Sequence, residues 1–274
     1  AVPTPPGAGP QLCGGDVVVV EPVPMRRLTA TQYLNTLRDL TGDAELAFDL
    51  EDEPGIVTER YVRPLRDLSE LVVERRDDWT LPVFPCALTQ EDDACVDSFI
   101  AEFGRRAFRR PLFDDETAWL RHVYDDARTE ASFQESMEVL LQVMLQSPAA
   151  VYMFELGAGE LIGGEMKALT QYEIASRMSY FLWNTMPDEA LLTAAAEGRL
   201  GNADGLRLEA ERLLADPRAE HNVERFFSQW LQLDGGQLHH PLEETEKDEL
   251  LYPEYDAELQ AAMRIETAAF VTRT

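Results

Sequence analysis

Lysine is nearly missing from this chain of 274 residues, where Lys167 and Lys247 are the only two. The positive charge is therefore almost all arginine, whose planar fork makes fixed bidentate pairs with carboxylates. Positive charge as a whole is scarce, with 24 Lys and Arg against 51 Asp and Glu and a net charge of −27. So acidic a surface repels nucleic-acid phosphates and anionic lipid headgroups, which excludes both as general partners. Long apolar runs are absent too, since no stretch reaches the roughly 18 uninterrupted residues that span a bilayer. At 45% hydrophobic, the chain is nonetheless too apolar to stay disordered and long enough for one large core or two modest ones.

Cysteine is limited to Cys13, Cys86 and Cys95. The last two flank a polar, turn-like segment, FPCALTQEDDACVD, short enough for a local disulfide clamping a loop to the following helix; two free structural thiols are the alternative. A zinc site would need more thiols or imidazoles nearby. Cys13 is then left over, which points to a partner outside this chain. The start, AVPTPPGAGPQ, has no initiator Met and no charge, as expected of a spacer left after signal removal. Together these place the protein outside the cytoplasm: periplasmic, on the outer surface or secreted.

Strand signals are few. Residues 1–24 form a Pro/Gly-rich leader with one β-prone run, Val17 to Val20, able to add an edge strand. From Arg26 the pattern is helical. Thr29 with Gln32 reads as a capping box, Tyr33, Leu37 and Leu40 as an apolar stripe, and Gly42 as a C-terminal glycine. Further helices are predicted near 60–77, 96–110 and 114–128. Over 132–147, Phe133, Met137, Leu140, Leu141 and Met144 recur at helical spacing. A turn-rich connector at 157–168, hairpin-like, separates a first helical layer (25–156) from a second (169–274). In the second, Thr170 and Glu173 cap a helix bearing Ile174, Met178, Phe181 and Leu182. Val223, Phe226, Phe227, Trp230 and Leu231 mark an aromatic helix, and a last helix from Pro253 places Leu259, Met263, Ile265 and Phe270 inward. No breaker closes it, so the chain reads as continuing beyond Thr274. The expected fold is mainly α, an orthogonal or bundled array of about ten helices.

Catalytic signatures are missing. No G-x-S-x-G elbow, P-loop or H-E-x-x-H occurs, and the glycines at 157–164 lack the strand–glycine–helix order of a dinucleotide site. The loop from Asp49 fails as an EF-hand, with Arg60 at its twelfth position and Pro54 at the glycine position; only a looser calcium site of carboxylates and carbonyls survives. His239 and His240, beside the acidic run EETEKDE, are the metal-ligand candidates, with a solvated turn as the plainer reading. His122 and His221 read as hydrogen-bonded structural histidines. Arg105, Arg106, Arg109 and Arg110 form a basic cluster at a helix end, read as an ion-pair network stitching acidic helices together. Trp183 and Trp230 are expected in the core. Cys-x-x-Cys-His is absent, so the chain does not hold a c-type haem covalently. Met144, Met153, His239 and His240 are the side chains that could lend a distal ligand to a haem held elsewhere.

Several blocks carry a resemblance. MRRLTATQYLNTLRDLTG (25–42), FIAEFGRRAFRRPLFDDETAWL (99–120), LLQVMLQSPAAVYMFELG (140–157), LTQYEIASRMSYFLWNTMPDEALLTAAAEGRL (169–200), RLLADPRAEHNVERFFSQWLQLD (212–234) and MRIETAAFV (263–271) occur in order. The chain resembles an exported family of serial domains of unknown function, known chiefly from planctomycetes and myxobacteria and associated with cytochrome c modules. Met153 stands where an arginine-containing pattern is common, while Cys86 and Cys95 agree with the family's cysteine loop. The resemblance implies export and c-type haem in a continuation or companion chain, and it transfers no catalytic residue.

Together these readings describe an N-terminal helical scaffold or docking module of a c-type-haem-associated protein in an extracytoplasmic redox or surface assembly. Its partners would be its own continuation or another chain, including a cationic redox protein drawn by the acidic surface. Two other classes stay open: a secreted enzyme acting on polysaccharide or another polymer, its site completed by further chain, and a purely structural subunit.

Overall fold

A computed structural model describes residues 25–50, 59–86, 88, 91–162, 166–231, 247–248 and 250–272. The leader with Val17–Val20, Cys13, most of the 49–55 loop, and His239 with His240 lie outside the described residues. The described chain is mainly α, with eleven α-helices and two small antiparallel two-stranded sheets. It divides into two compact units: Ala1–Tyr180 with Thr185–Ala203, and Phe181–Asn184 with Asp204–Thr274.

In the first unit, strand β1 (Arg26–Arg27) leads into helix α1 (Ala30–Thr41). Thr29 Oγ1 accepts the Gln32 N–H and Gln32 Oε1 accepts the Thr29 N–H, so two otherwise orphan donors are satisfied. Gly42 ends the helix at φ 74°, a conformation that a side chain would strain. Then come α2 (Glu59–Glu74), α3 (Asp93–Ala107), α4 (Asp114–Arg128) and α5 (Phe133–Gln146). A short α6 (Pro148–Val151) passes straight into β2 (Tyr152–Met153), which pairs with β1 in the register Arg26↔Met153 and Arg27↔Tyr152.

Helix α5 is the centre of this unit. Met137, Leu140, Leu141 and Met144 are fully buried, packed among α2, α3 and α4. Leu68 and Val72 of α2, Phe99, Ile100 and Phe103 of α3 and Leu120 of α4 complete the layer. Burial of each such side chain contributes about 1.5–3 kcal/mol relative to exposure, far more than helix propensity does. Polar bonds then fix the packing: the Tyr33 hydroxyl donates to the Leu145 carbonyl at 2.8 Å, and Arg75 grips the buried Asp43 carboxylate with two bonds of 2.7 and 2.9 Å. Cys86 and Cys95 are joined in a disulfide with Cα atoms 5.9 Å apart, tying the preceding loop to the first turn of α3.

Within 157–168 the chain forms a hairpin, β3 (Ala158–Ile162) with β4 (Met166–Ala168). Gly157, at φ 64°, begins it; a Cβ there would come within 2.6 Å of the Ala168 carbonyl oxygen. Helices α7 (Gln171–Leu182) and α8 (Glu189–Ala196) follow. On α7 the buried side is Ala175, Ser176, Ser179 and Tyr180. Of the stripe Ile174, Met178, Phe181 and Leu182, Phe181 stands exposed. Tyr180 anchors α7 by sharing a 2.8 Å hydroxyl bond with Thr36.

The second unit holds most of α9 (Ala203–Leu214), with α10 (Pro217–Trp230) and α11 (Ala257–Thr272). Asp216 caps α10 through the Arg218 N–H, and Pro217 occupies the first turn, where its missing donor costs nothing. Trp183 is buried here: its indole N–H donates to the Leu213 carbonyl at 2.8 Å and the Arg218 guanidinium lies 3.5 Å over its ring. Trp230, expected inside, is exposed, as are Ile265 and Phe270 of α11. Helical spacing shows which residues share a face, not whether any neighbour covers that face.

Candidate functional site

The arginine cluster is where the sequence concentrates positive charge, and the structure gives its four members different tasks. Arg105 pairs with Glu189 at 2.6 and 2.8 Å. Arg106 donates to the carbonyls of Asp39 and Leu40 at the C-terminal end of α1, at 2.9 and 3.3 Å. Arg110 holds Glu116 with two bonds of 2.8 Å. Arg109 pairs with no carboxylate among the described residues. It is buried, and its guanidinium donates to four carbonyls: Ala107 (3.2 Å), Ala150 (2.9 Å), Ala149 (2.8 Å) and Tyr152 (2.7 Å). Two of the four arginines therefore make ion pairs and two serve backbone oxygens. Arg109 sits at φ 60°, a left-handed conformation that costs a non-glycine residue about 1–2 kcal/mol. The four charge-assisted bonds explain why it is held there.

This clamp builds one wall of a cavity of about 740 Å³ in the first unit. The turn after α3 contributes Phe108 to Phe113, the α5–α6 junction Ser147 to Ala149, the end of β2 Met153, the segment after it Phe154 and Leu156 to Ala158, and the start of α7 Thr170, Tyr172, Glu173 and Ser176. Three of the sequence blocks that carry the family resemblance thus converge on one space. Its charged groups are already committed. The Glu116 carboxylate also accepts the Phe113 N–H at 2.8 Å; burial raises its pKa, but the Arg110 bonds and that N–H outweigh burial and hold it below the ordinary range. Glu173 accepts the N–H groups of Leu156, Gly157 and Thr170 at 2.7, 3.1 and 2.7 Å, fastening the base of the hairpin to α7. The Tyr172 and Ser176 hydroxyls make no hydrogen bond to a described residue. Both carboxylates that line the cavity are thus engaged, Glu116 by Arg110 and a backbone N–H and Glu173 by three backbone N–H groups.

The other candidates are scattered. His122 is exposed, facing Asp126 at 3.5 Å. His221 lies in an open groove of about 550 Å³ with Glu220 and Glu224 on α10 and Arg264 on α11. Among the described residues no group of three His, Cys, Asp or Glu is placed to hold a metal ion. Met144 is packed in the core and the Met153 sulfur accepts from Arg26 Nη2 at 2.7 Å. No helix among the described residues is long and apolar enough to cross a membrane.

In the second unit, α10 presents an aromatic face. Phe226 stacks on Trp230 with ring centroids 6.4 Å apart, and Phe227 meets Trp230 edge-on at 5.8 Å. Phe226 and Trp230 are 56% and 66% exposed, beside the exposed Val223 and Leu231. The sequence marks these residues as an aromatic helix, with Trp230 expected in the core; the structure leaves Trp230 exposed.

The cavity was missed at sequence level because its lining comes from four separate segments. One signal was present: Arg109 has no acidic residue three or four positions away and stands two before a proline, so neither a local ion pair nor helix continuation accounts for it. No curated protein and no solved structure matches the chain. Residues 95–155 match a family model described as a protein of unknown function, DUF1595, and residues 169–274 match one described as a protein of unknown function, DUF1592.

Proposed function

We propose that this chain is a docking scaffold of an extracytoplasmic assembly, engaging a cationic electron-transfer protein through the aromatic face of α10. The observation that carries this reading is the exposure of Phe226 and Trp230 together on one helix face. Large aromatic side chains left in water are costly unless a partner covers them, and they are the anchors most often found at interface centres. The partner's charge follows from the net charge of −27, which attracts basic surfaces over a Debye length and repels acidic ones. The Cys86–Cys95 disulfide suits an oxidising compartment. The family resemblance supports a haem-bearing companion. In this scheme the chain contributes rigid helices and an attractive field, while haem chemistry belongs to the companion.

A polymer-cleaving enzyme has less support. It would call for a carboxyl pushed upward to act as a general acid, whereas Glu116, a half-buried carboxyl of the cavity, is pushed down.

Titration calorimetry with a purified basic c-type cytochrome tests the docking reading. Saturable binding is expected, weakening as salt is raised and about tenfold weaker in Trp230→Ser, an exposed position whose loss leaves the fold intact. Absence of binding at low salt, or binding untouched by Trp230→Ser, would overturn it.

A further inference from the structure

We propose that the cavity behind the Arg109 clamp is a receptor site for an uncharged, mainly apolar small molecule, a function separate from docking at α10. Its volume of about 740 Å³ lies within the roughly 300–1,000 Å³ of small-molecule sites. The charge of the ligand follows from the state of the walls. Arg109 aims its Nη groups at four carbonyls and Arg110 aims both of its Nη groups at Glu116, so neither has an uncommitted pair of Nη groups for an anion. Glu116 and Glu173 are equally occupied, by Arg110 and by backbone N–H groups, so neither is left to pair with a cation. A charged ligand would have to shed its hydration without gaining a counter-charge, a penalty that selects neutral molecules.

What the walls do offer is apolar surface with two hydroxyls. Phe108, Leu112, Phe113, Met153, Phe154 and Leu156 supply the first, Tyr172 and Ser176 the second. Phe113 and Leu156 are 61% and 73% exposed, so apolar side chains remain available to a ligand entering from solvent. The site is also preorganised. The Arg109 carbonyl bonds, the Arg110–Glu116 pair and the Glu173 cap hold the contributing segments without help from a ligand, which lowers the ordering cost of binding. An apolar body with one hydroxyl or carbonyl, such as an aromatic alcohol or ketone, matches this chemistry.

The test uses Nile red, a neutral dye that brightens in apolar surroundings, with the full chain. A Phe226→Ser/Trp230→Ser background removes the α10 face as a competing surface. Saturable binding of one dye per chain is expected, with a midpoint unmoved by salt and competed by an uncharged aromatic alcohol. Ser176→Phe, which fills the cavity from α7, and Phe113→Ser, at an exposed position, should each weaken it about tenfold or more. Circular dichroism melts establish that both variants are folded. Binding that survives both substitutions, that vanishes with the α10 face alone, or that favours an anionic dye would overturn the proposal. Because docking at α10 is read out separately, failure of one leaves the other standing.

Discussion

The guanidinium of Arg109 and the carbonyl of Tyr152, 43 residues apart in sequence, meet at 2.7 Å. That bond and the two to Ala149 and Ala150 join the end of α3 to α6 and β2, and so set the wall of the cavity. Lysine carries the same charge but is a point donor on a flexible stem and cannot serve carbonyls along two residues' width. Arg109→Lys should therefore destabilise the chain by about 2–4 kcal/mol, since buried carbonyls lose their donors. Arg105→Ala, which breaks an ion pair with a mostly exposed glutamate, should cost less than about 1 kcal/mol. Urea unfolding midpoints at constant slope distinguish the two.

At Gly42 the backbone at φ 74° and the surrounding atoms both exclude a side chain. An added Cβ would lie 2.1 Å from Thr80 Oγ1 and 3.1 Å from the Leu81 nitrogen, so movement of one flexible group does not relieve it. Gly42→Ala is expected to lose about 2–4 kcal/mol, from the left-handed strain plus the clash. Gly198→Ala shares the positive φ but meets nothing within 4 Å, and should lose only about 1 kcal/mol. A thermal melt of both variants separates backbone strain from packing.

Those helix ends were legible because their physics is local: Thr29 with Gln32, Gly42, and Thr170 with Glu173 bond within a turn of themselves. The α5 core was equally plain, since Met137, Leu140, Leu141 and Met144 repeat at the helical period. The same periodicity misled at Trp230, Ile265 and Phe270, where amphipathic spacing exists without a covering neighbour. On α7 the spacing puts Ile174, Met178, Phe181 and Leu182 on one face, while the buried residues are Ala175, Ser176, Ser179 and Tyr180. The carbonyl clamp of Arg109 and the pairing of Arg26 with Met153 join residues far apart in the chain. No spacing rule sees such bonds, because neither end carries a local mark of its partner.

The Cys86–Cys95 bond closes a short loop, with a sequence separation of 9. By loop entropy alone its reduction should cost about 2–3 kcal/mol. The effect should centre on the start of α3, where Phe84 and Phe99 pack with ring centroids 5.0 Å apart. Melting in the presence of a thiol reductant, and of Cys86→Ser/Cys95→Ser, should show the same drop. Near-ultraviolet dichroism should change while the helical far-ultraviolet signal persists. A drop of less than about 0.5 kcal/mol would mean that helix packing alone fixes the loop.

Acid should unfold this chain through a few identifiable carboxylates. Asp43 is held below the ordinary range by its bonds from Arg75 and by the N–H groups of Glu45 and Leu46, which outweigh burial. Asp216, bonded twice by Arg218, is lowered to about 2, and Glu116 is lowered by Arg110 and the Phe113 N–H against the opposing effect of burial. In each case the folded pKa lies below the unfolded one, so the unfolded chain binds more protons as the pH falls. The stabilisation is complete above the ordinary carboxylate range of about 4 and is lost as pH falls through the depressed values. Urea midpoints should thus stay level from neutral pH to about 5, then decline down to about 2. Asp43→Asn should be less stable at neutral pH, because a buried amide replaces the partner of Arg75, and its decline in acid should be shallower. A parallel decline in Asp43→Asn and wild type would show that other carboxylates set the acid limit.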